Sequence, residues 1–147
     1  MTAEDIKNLR EKTGAGVMDA KRALEEAEGN MERALEIIQE KGLIKAEKKA
    51  DRTTGDGIIF SYIHNEKVGV LLDLRCETDF VARTDDFKGL AHEIAMQIVA
   101  MDPESVEDLM AQPYIKDQKL TIEELVKGVI AKLGENIQIE KYCRYAI

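Results

Sequence analysis

Residues 57–76 read GIIFSYIHNEKVGVLLDLRC, two apolar runs separated by the short polar stretch His64–Lys67. In both runs apolar side chains recur at every second position. A period of two is typical of β-strands, and a short polar connection between such runs is typical of a hairpin. The pattern therefore predicts an antiparallel β-hairpin with a tight turn. One face would carry Ile58, Phe60, Tyr62, Val68, Val70, Leu72 and Leu74, and the other would carry Ile59, Ser61, Ile63, Gly69, Leu71, Asp73 and Arg75.

The run Thr78-Asp79-Phe80-Val81-Ala82-Arg83 follows the hairpin and places an aromatic residue beside an acid where the chain reverses. One interpretation is structural: Thr78 or Asp79 caps a new helix, and Phe80 packs as a hydrophobic staple. The other is functional, because an exposed aromatic residue beside a charge is typical of a contact surface. The residues alone leave both interpretations open.

Helical spacing of apolar residues returns after this run. It predicts one helix around residues 87–98. The pair Asp102-Pro103 predicts the N-cap and first residue of a short helix, which Gln112-Pro113 should close.

The last part of the chain carries one more helix and one more strand. Thr121 and Glu124 have the spacing of a capping box, and Gly134 is a typical helix end. Residues 137–145 alternate again and predict a strand beside the hairpin. We therefore expect an α+β fold in which a three-stranded antiparallel sheet packs with helices.

The N-terminal part is predicted to be all helical. Residues 3–42 carry three short apolar stripes at helical spacing, with Gly42 placed to cap the third helix at its C-terminal end. We expect residues 1–44 to form a small helical domain. Residues 45–55 are rich in Lys and Arg, have few apolar side chains and predict a linker. The α+β core domain would then span residues 56–147.

Composition limits the classes of partner. The chain has 21 basic and 29 acidic residues, a net charge of −8, which disfavours direct nucleic-acid binding and favours a protein partner. Cys76 and Cys143 lack the spacing of metal ligands, and the N-terminus has no basic and apolar signal. No apolar run approaches the ~20 residues needed to cross a bilayer. We expect a cytoplasmic protein without a membrane role.

Enzyme motifs are hard to assemble from this sequence. His92-Glu93 would need a second histidine four residues after His92, and that position is Met96. Gly14-Ala15-Gly16 precedes a helix but lacks the preceding strand, third glycine and lysine of nucleotide-binding motifs, so a tight turn is the simpler interpretation. We expect no catalytic residue, metal site or cofactor.

Two motifs resemble those of the elongation factor Ts family of bacterial translation. The first is residues 76–83 with Asp86-Phe87, and the second is LREKTGAGVMDAK at residues 9–21, which continues through residue 32. Both occur in the family's order and at its spacing. The resemblance covers essentially the whole chain. The chain is similar to the short bacterial form, although the helical region between Ala100 and Gln112 looks abbreviated.

The resemblance implies a function and a fold. It implies a non-catalytic guanine-nucleotide exchange factor that binds elongation factor Tu carrying GDP, disturbs its Mg²⁺ and phosphate site, and releases GDP so that GTP can bind. It also implies that the N-terminal helices fold like a ubiquitin-associated domain. No cofactor belongs to this chain in such a mechanism.

The resemblance further assigns two groups of partner-binding residues. Phe80 would insert between helices of elongation factor Tu with Asp79 as its polar companion, and the segment that also includes Val81 and Ala82 would disturb the partner's Mg²⁺ site. Val17 and Met18 would dock on a helix of the partner's GTP-binding domain. By periodicity alone Val17 continues an apolar stripe, whereas Met18 points elsewhere.

The short length leads to one more expectation. Long family members use two core subdomains to grip elongation factor Tu, so a short one would gain the missing half by homodimerisation through the core sheet. Cys143 is expected to be a reduced thiol, or a symmetry-related disulfide if two copies pair across its strand. The alternatives are an adaptor module with an unrelated protein partner, for which Phe80 would be dispensable, and an unrecognised small enzyme.

Overall fold

Three helices form the N-terminal part of the computed structural model, which describes all 147 residues. They are α1 (Ala3–Thr13), α2 (Val17–Glu26) and α3 (Met31–Glu47). Thr2 and Asp5 form a capping box at the start of α1, and Asn30 caps α3. These local signals fix the helix starts, and packing fixes their arrangement. The small core between them consists of Leu9, Ala20, Ala23, Leu24, Ala27, Ala34 and Ile37.

The predicted end of the third helix is wrong. Helix α3 continues through Gly42 to Glu47, so the predicted linker 45–55 begins inside a helix and only its remainder forms turns and extended chain. The reason is tertiary: α3 packs against the later helix that contains Ala131, and a Cβ at position 42 would lie at ordinary van der Waals distance, 3.4 Å, from the Cβ of that residue. The division of the chain at residue 44 stays a prediction.

The C-terminal part alternates strands and helices. Its elements are β1 (Asp56–His64), β2 (Val68–Cys76), α4 (Asp79–Ala82), α5 (Asp85–Met101), α6 (Val106–Ala111), β3 (Pro113–Tyr114), β4 (Asp117–Thr121), α7 (Ile122–Leu133) and β5 (Ile137–Ala146). The antiparallel order β1-β2-β5 confirms the predicted three-stranded sheet and the α+β class. Asn65 and Glu66 both have positive φ, as a tight hairpin turn requires. The short β3–β4 hairpin was not predicted.

The short helix begins later than predicted. Asp102 is the C-cap of α5 in a left-handed conformation, with φ of 43°, and Ser105 is the N-cap of α6. The pair Asp102-Pro103 therefore ends one helix and does not start the next. By contrast, the capping box of Thr121 with Glu124 and the helix end at Gly134 are confirmed.

The main core lies between one face of the sheet and the helices. Phe87, Ile94 and Ile98 of α5 are fully buried, as are Leu72 and Leu74 on the facing side of β2. Alternation along the strands leaves the other face of the sheet outside. No helix is both long and apolar enough to span a bilayer.

Candidate functional site

The run that follows the hairpin forms one helical turn, α4, between β2 and α5. Thr78 is its N-cap, because Thr78 Oγ1 accepts a hydrogen bond from the Val81 N–H at 3.3 Å. Thr84 then caps α5 through the Phe87 N–H. Two threonine caps in close succession explain why the chain turns here and does not continue as one long helix.

The four predicted residues of this turn divide between surface and core. The Phe80 side chain is 82 % exposed, whereas Val81 and Ala82 retain only 5 % and 2 % exposure and belong to the main core. The staple interpretation of Phe80 is therefore wrong, although Thr78 does cap the helix. The side chains of Val81 and Ala82 therefore present almost no surface while the turn is folded.

Asp79 lies beside Phe80 on the exposed side. Its Oδ2 is 2.7 Å from Nη2 of Arg83, and both side chains are more than half exposed. Solvent-exposed ion pairs contribute little to stability. Asp79 and Arg83 can therefore exchange their mutual contact for contacts with a partner at small cost.

A loop from the far end of the chain holds the start of this turn. Glu135 Oε1 accepts hydrogen bonds from the Glu77 and Thr78 N–H groups at 3.1 and 3.0 Å, and Glu135 Oε2 accepts one from the Thr78 hydroxyl at 2.6 Å. The Cys76 thiol donates to the Thr78 carbonyl at 3.1 Å. Burial raises the pKa of this thiol to about 11, so it stays protonated as a donor.

Sequence reasoning missed Glu135 as a support of the turn. The available signal was an acid placed directly after the helix-ending Gly134. That signal names no partner, because the groups it binds lie more than fifty residues earlier in the chain.

Val17 and Met18 form a second exposed apolar pair. They are the first two residues of α2, and each side chain is about half exposed. Val17 is therefore not part of the buried stripe. Helix α2 packs on α1 and α3, whereas α4 packs on β1, β2 and α5, so the two predicted groups lie on different parts of the molecule.

The outer face of the sheet is the third apolar surface. Ser61, Leu71 and Cys143 lie side by side across its three strands, and Ile63, Gly69 and Tyr145 form the next row. Exposed members of this face are Ile59, Ile63, Leu71, Cys143 and Tyr145. We call these five residues the outer apolar face.

Both histidines have ordinary structural partners. His64 Nδ1 lies 2.9 Å from the Tyr62 hydroxyl, and the His92 ring packs edge-on against Phe60 and Tyr62. No three His, Cys, Asp or Glu residues are grouped so that they could hold a metal ion. The prominent surface feature is the exposed Phe80 ring on a turn that Val81 and Ala82 anchor in the core.

Similarity to known proteins decides what this arrangement belongs to. A sequence model described as Elongation factor TS matches residues 77–147. Elongation factor Ts of Fervidobacterium nodosum is 42 % identical, over 100 % of this chain and 98 % of that protein. The chain belongs to the elongation factor Ts family. Elongation factor Ts of Synechocystis is 41 % identical, over 99 % of this chain and 88 % of that protein. Elongation factor Ts of Nostoc is 47 % identical, over 100 % of this chain and 47 % of that protein.

Membership of the elongation factor Ts family establishes the function of the chain. It is a non-catalytic nucleotide exchange factor for elongation factor Tu. The alignment with the Fervidobacterium elongation factor Ts has 193 positions against the 147 residues of this chain, so that relative has at least 46 additional positions within the aligned region. The alignment with the Nostoc relative has 148 positions. The aligned relatives thus differ in internal length.

Proposed function

We propose that this chain performs exchange by inserting the Phe80 ring into elongation factor Tu, with Asp79 as its polar companion. The observation that carries the proposal is a fully presented aromatic ring, 82 % exposed, on a turn whose next two residues are buried. The backbone that carries the ring is anchored by these two residues, so it loses little conformational freedom on binding. Exposed aromatic residues of this kind supply the large contributions of interface hot spots.

The partner's hold on GDP explains how an inserted ring causes release. Much of that hold comes from a divalent ion and from backbone N–H groups around the phosphates. A ring that displaces either group weakens nucleotide binding. Because coupling between two ligands is reciprocal, bound nucleotide weakens binding of this protein by the same factor. GTP entry can therefore expel the exchange factor and complete the cycle.

Val81 and Ala82 take a different part in the same segment. Their burial supports an anchoring role in which they hold Asp79 and Phe80 against the core. A turn of four residues has no stability of its own and depends on such packing. The proposed partner-binding segment Asp79–Ala82 thus consists of two contacting residues and two anchors.

We further propose Val17 and Met18 as a separate docking contact with the GTP-binding domain of elongation factor Tu. The half-exposed pair at the start of α2 supports this contact. Methionine side chains adapt to apolar partner surfaces without a defined pocket. This contact would add affinity, whereas Phe80 would act on the nucleotide site.

Release of a fluorescent GDP from elongation factor Tu tests these assignments. At saturating concentrations of this protein, Phe80→Ala should lower the release rate by roughly 30-fold or more, the size of a hot-spot loss. The matched control is Met101→Ala, which truncates another exposed apolar side chain at the end of α5. Met18→Ala should raise the concentration needed for half-maximal release and leave the maximal rate unchanged. A Phe80→Ala protein as active as the wild type would overturn the wedge assignment.

We also propose that two copies pair through the outer apolar face. The exposed apolar side chains of this uncovered sheet face favour association, and a second copy would present the same residues in return. Cys143 lies directly beside Leu71 on this face. Light scattering across micromolar concentrations should show a dimer, and Leu71→Glu should give a monomer. A wild-type monomer throughout that range would overturn the pairing.

A further inference from the structure

Glu135 makes an unusual set of contacts with the turn that carries Phe80. Both carboxylate oxygens are used: Oε1 accepts from the Glu77 and Thr78 N–H groups, and Oε2 accepts from the Thr78 hydroxyl at 2.6 Å. Hydrogen bonds to a charged acceptor are about twice as strong as neutral ones. One side chain thereby fixes the backbone and the side chain of the same residue, Thr78.

The Thr78 hydroxyl is in turn the cap of α4. Its proton is directed to Glu135, which leaves an oxygen lone pair to accept from the Val81 N–H at 3.3 Å. The chain of contacts therefore runs from Glu135 through Thr78 to Val81, and Phe80 lies between the last two. The Thr78 carbonyl also accepts from the Ala82 N–H at 3.2 Å, so both acceptor groups of Thr78 hold the turn. The direction in which the turn presents the ring therefore depends on how Thr78 is held.

We propose that Glu135 is a positioning residue for nucleotide exchange: it fixes the cap of α4 so that Phe80 is presented in one orientation. This inference rests on the proposed role of Phe80. A ring that samples several directions must be ordered on binding, which costs affinity and misplaces it at the partner's ion site. Glu135 itself need not contact elongation factor Tu.

A purely structural role is the alternative, and it predicts a different pattern. In that case a variant of Glu135 would lower exchange only by unfolding some of the protein, and its effect would be independent of Phe80. A positioning role requires that the exchange defect disappear once the ring is absent. A double-mutant cycle separates the two.

The experiment measures GDP release from elongation factor Tu, at saturating concentrations, for Glu135→Ala, Phe80→Ala and the double variant. Urea denaturation of each protein is measured in parallel. Glu135→Ala should lower the release rate on the order of tenfold. In the Phe80→Ala background the same substitution should change the rate less than about twofold, while its effect on stability remains.

Two further variants complete the test. Glu135→Gln keeps an amide oxygen for the two N–H groups, but its amide nitrogen cannot accept from the Thr78 hydroxyl, so it should recover only part of the lost rate. Glu124→Ala is the matched control, since Glu124 accepts from the N–H and hydroxyl of Thr121 in the capping box of α7, away from α4. It should lower stability without a tenfold loss of exchange.

The outcomes distinguish this inference from the proposed function. If Phe80→Ala is fully active, the wedge assignment fails and the inference falls with it. If Phe80→Ala is defective but Glu135→Ala is active, only the positioning role fails. Equal rate losses from Glu135→Ala with and without the ring would also overturn it.

Discussion

Phe80 owes its exposure to the two residues that follow it. Successive side chains of a helix are about 100° apart, so a turn that buries Val81 and Ala82 directs Phe80 outward. Leaving a phenylalanine in water forgoes about 1.5–3 kcal/mol of burial free energy. The exposed ring therefore does not stabilise the fold of the free protein. For this reason we propose that its role lies in the complex with elongation factor Tu.

The two cysteines provide a prediction at the same scale. Cys76 is fully buried and burial raises its pKa to about 11, whereas Cys143 is exposed on the outer apolar face. Because the thiolate is the reactive form, we expect a thiol reagent at pH 8 to modify Cys143 quickly. Cys76 should react at least about a hundredfold more slowly in the native protein.

The measurement is the time course of modification in a sample diluted below the concentration at which two copies pair, so that the outer apolar face is uncovered. Cys143→Ser should remove the fast phase and leave only the slow one, and denaturant should make Cys76 react quickly. Two thiols that react together in the native protein would contradict the burial of Cys76.

Secondary-structure elements show which signals in the sequence were local. The hairpin, the α7 capping box and the end at Gly134 depend on neighbouring residues only, and all were predictable. Gly42 and Asp102 were misread because each signal fits two outcomes. Helix α3 continues through Gly42 while it packs against α7, and Asp102 tolerates the left-handed end of α5. Only the tertiary partner decides between such outcomes.

The candidate site shows the same limit. The motif indicated an exposed acid and ring at Asp79 and Phe80, and the structure exposes both. Their anchoring by Val81 and Ala82 could not be read from an apolar pair without knowing which side faced the core. The role of Glu135 could not be predicted from the sequence, because its hydrogen bonds join residues that are 57 and 58 positions apart in the chain.

A second tertiary contact joins α5 to the short β3–β4 hairpin and responds to pH. Glu93 accepts hydrogen bonds from the Tyr114 hydroxyl at 2.7 Å and from Lys116 Nζ at 2.8 Å. Burial opposes ionisation of Glu93, but these two donors outweigh it and lower the pKa of the carboxyl below its ordinary value of 4.5. The contact thus stabilises the fold above about pH 4.5, and this stabilisation is lost as the pH falls through the lowered pKa.

We therefore expect Glu93→Gln to lower the free energy of unfolding by about 1 kcal/mol at pH 7. The difference from the wild type should shrink as the pH falls below 4.5, because the wild-type carboxyl then becomes protonated and is neutral like the Gln amide. Urea denaturation between pH 3 and pH 7 measures this, with Glu107→Gln, an exposed carboxylate on α6, as the control. A difference that is constant across this range would contradict the role of the charge.

At the scale of the whole molecule, one loop connects the N-terminal helices, the core and the turn that carries Phe80, the proposed exchange surface. Glu135 binds the start of α4, and its neighbour Asn136 binds the chain that follows α3. Asn136 is buried, and its side-chain amide donates to the carbonyls of Ala50 and Arg52 at 3.3 and 2.9 Å. Its backbone N–H donates to Glu77 at 2.7 Å. The placement of the N-terminal helices and that of Phe80 thus depend on adjacent residues.

This connection predicts that Asn136→Ala loosens the segment after α3 and leaves the sheet folded. Two carbonyls lose their donor, so the free energy of unfolding should fall by about 1–3 kcal/mol. Asn136→Asp should cost more, because a carboxylate would face two carbonyl oxygens. Trypsin should cleave the variant faster at Lys48, Lys49 and Arg52, and amide hydrogen exchange should increase over residues 48–55 while β1, β2 and β5 stay protected. If trypsin cleavage and amide hydrogen exchange match the wild type, Asn136 does not hold this segment. The N-terminal helices would then be coupled to the turn that carries Phe80 through the α3–α7 contact.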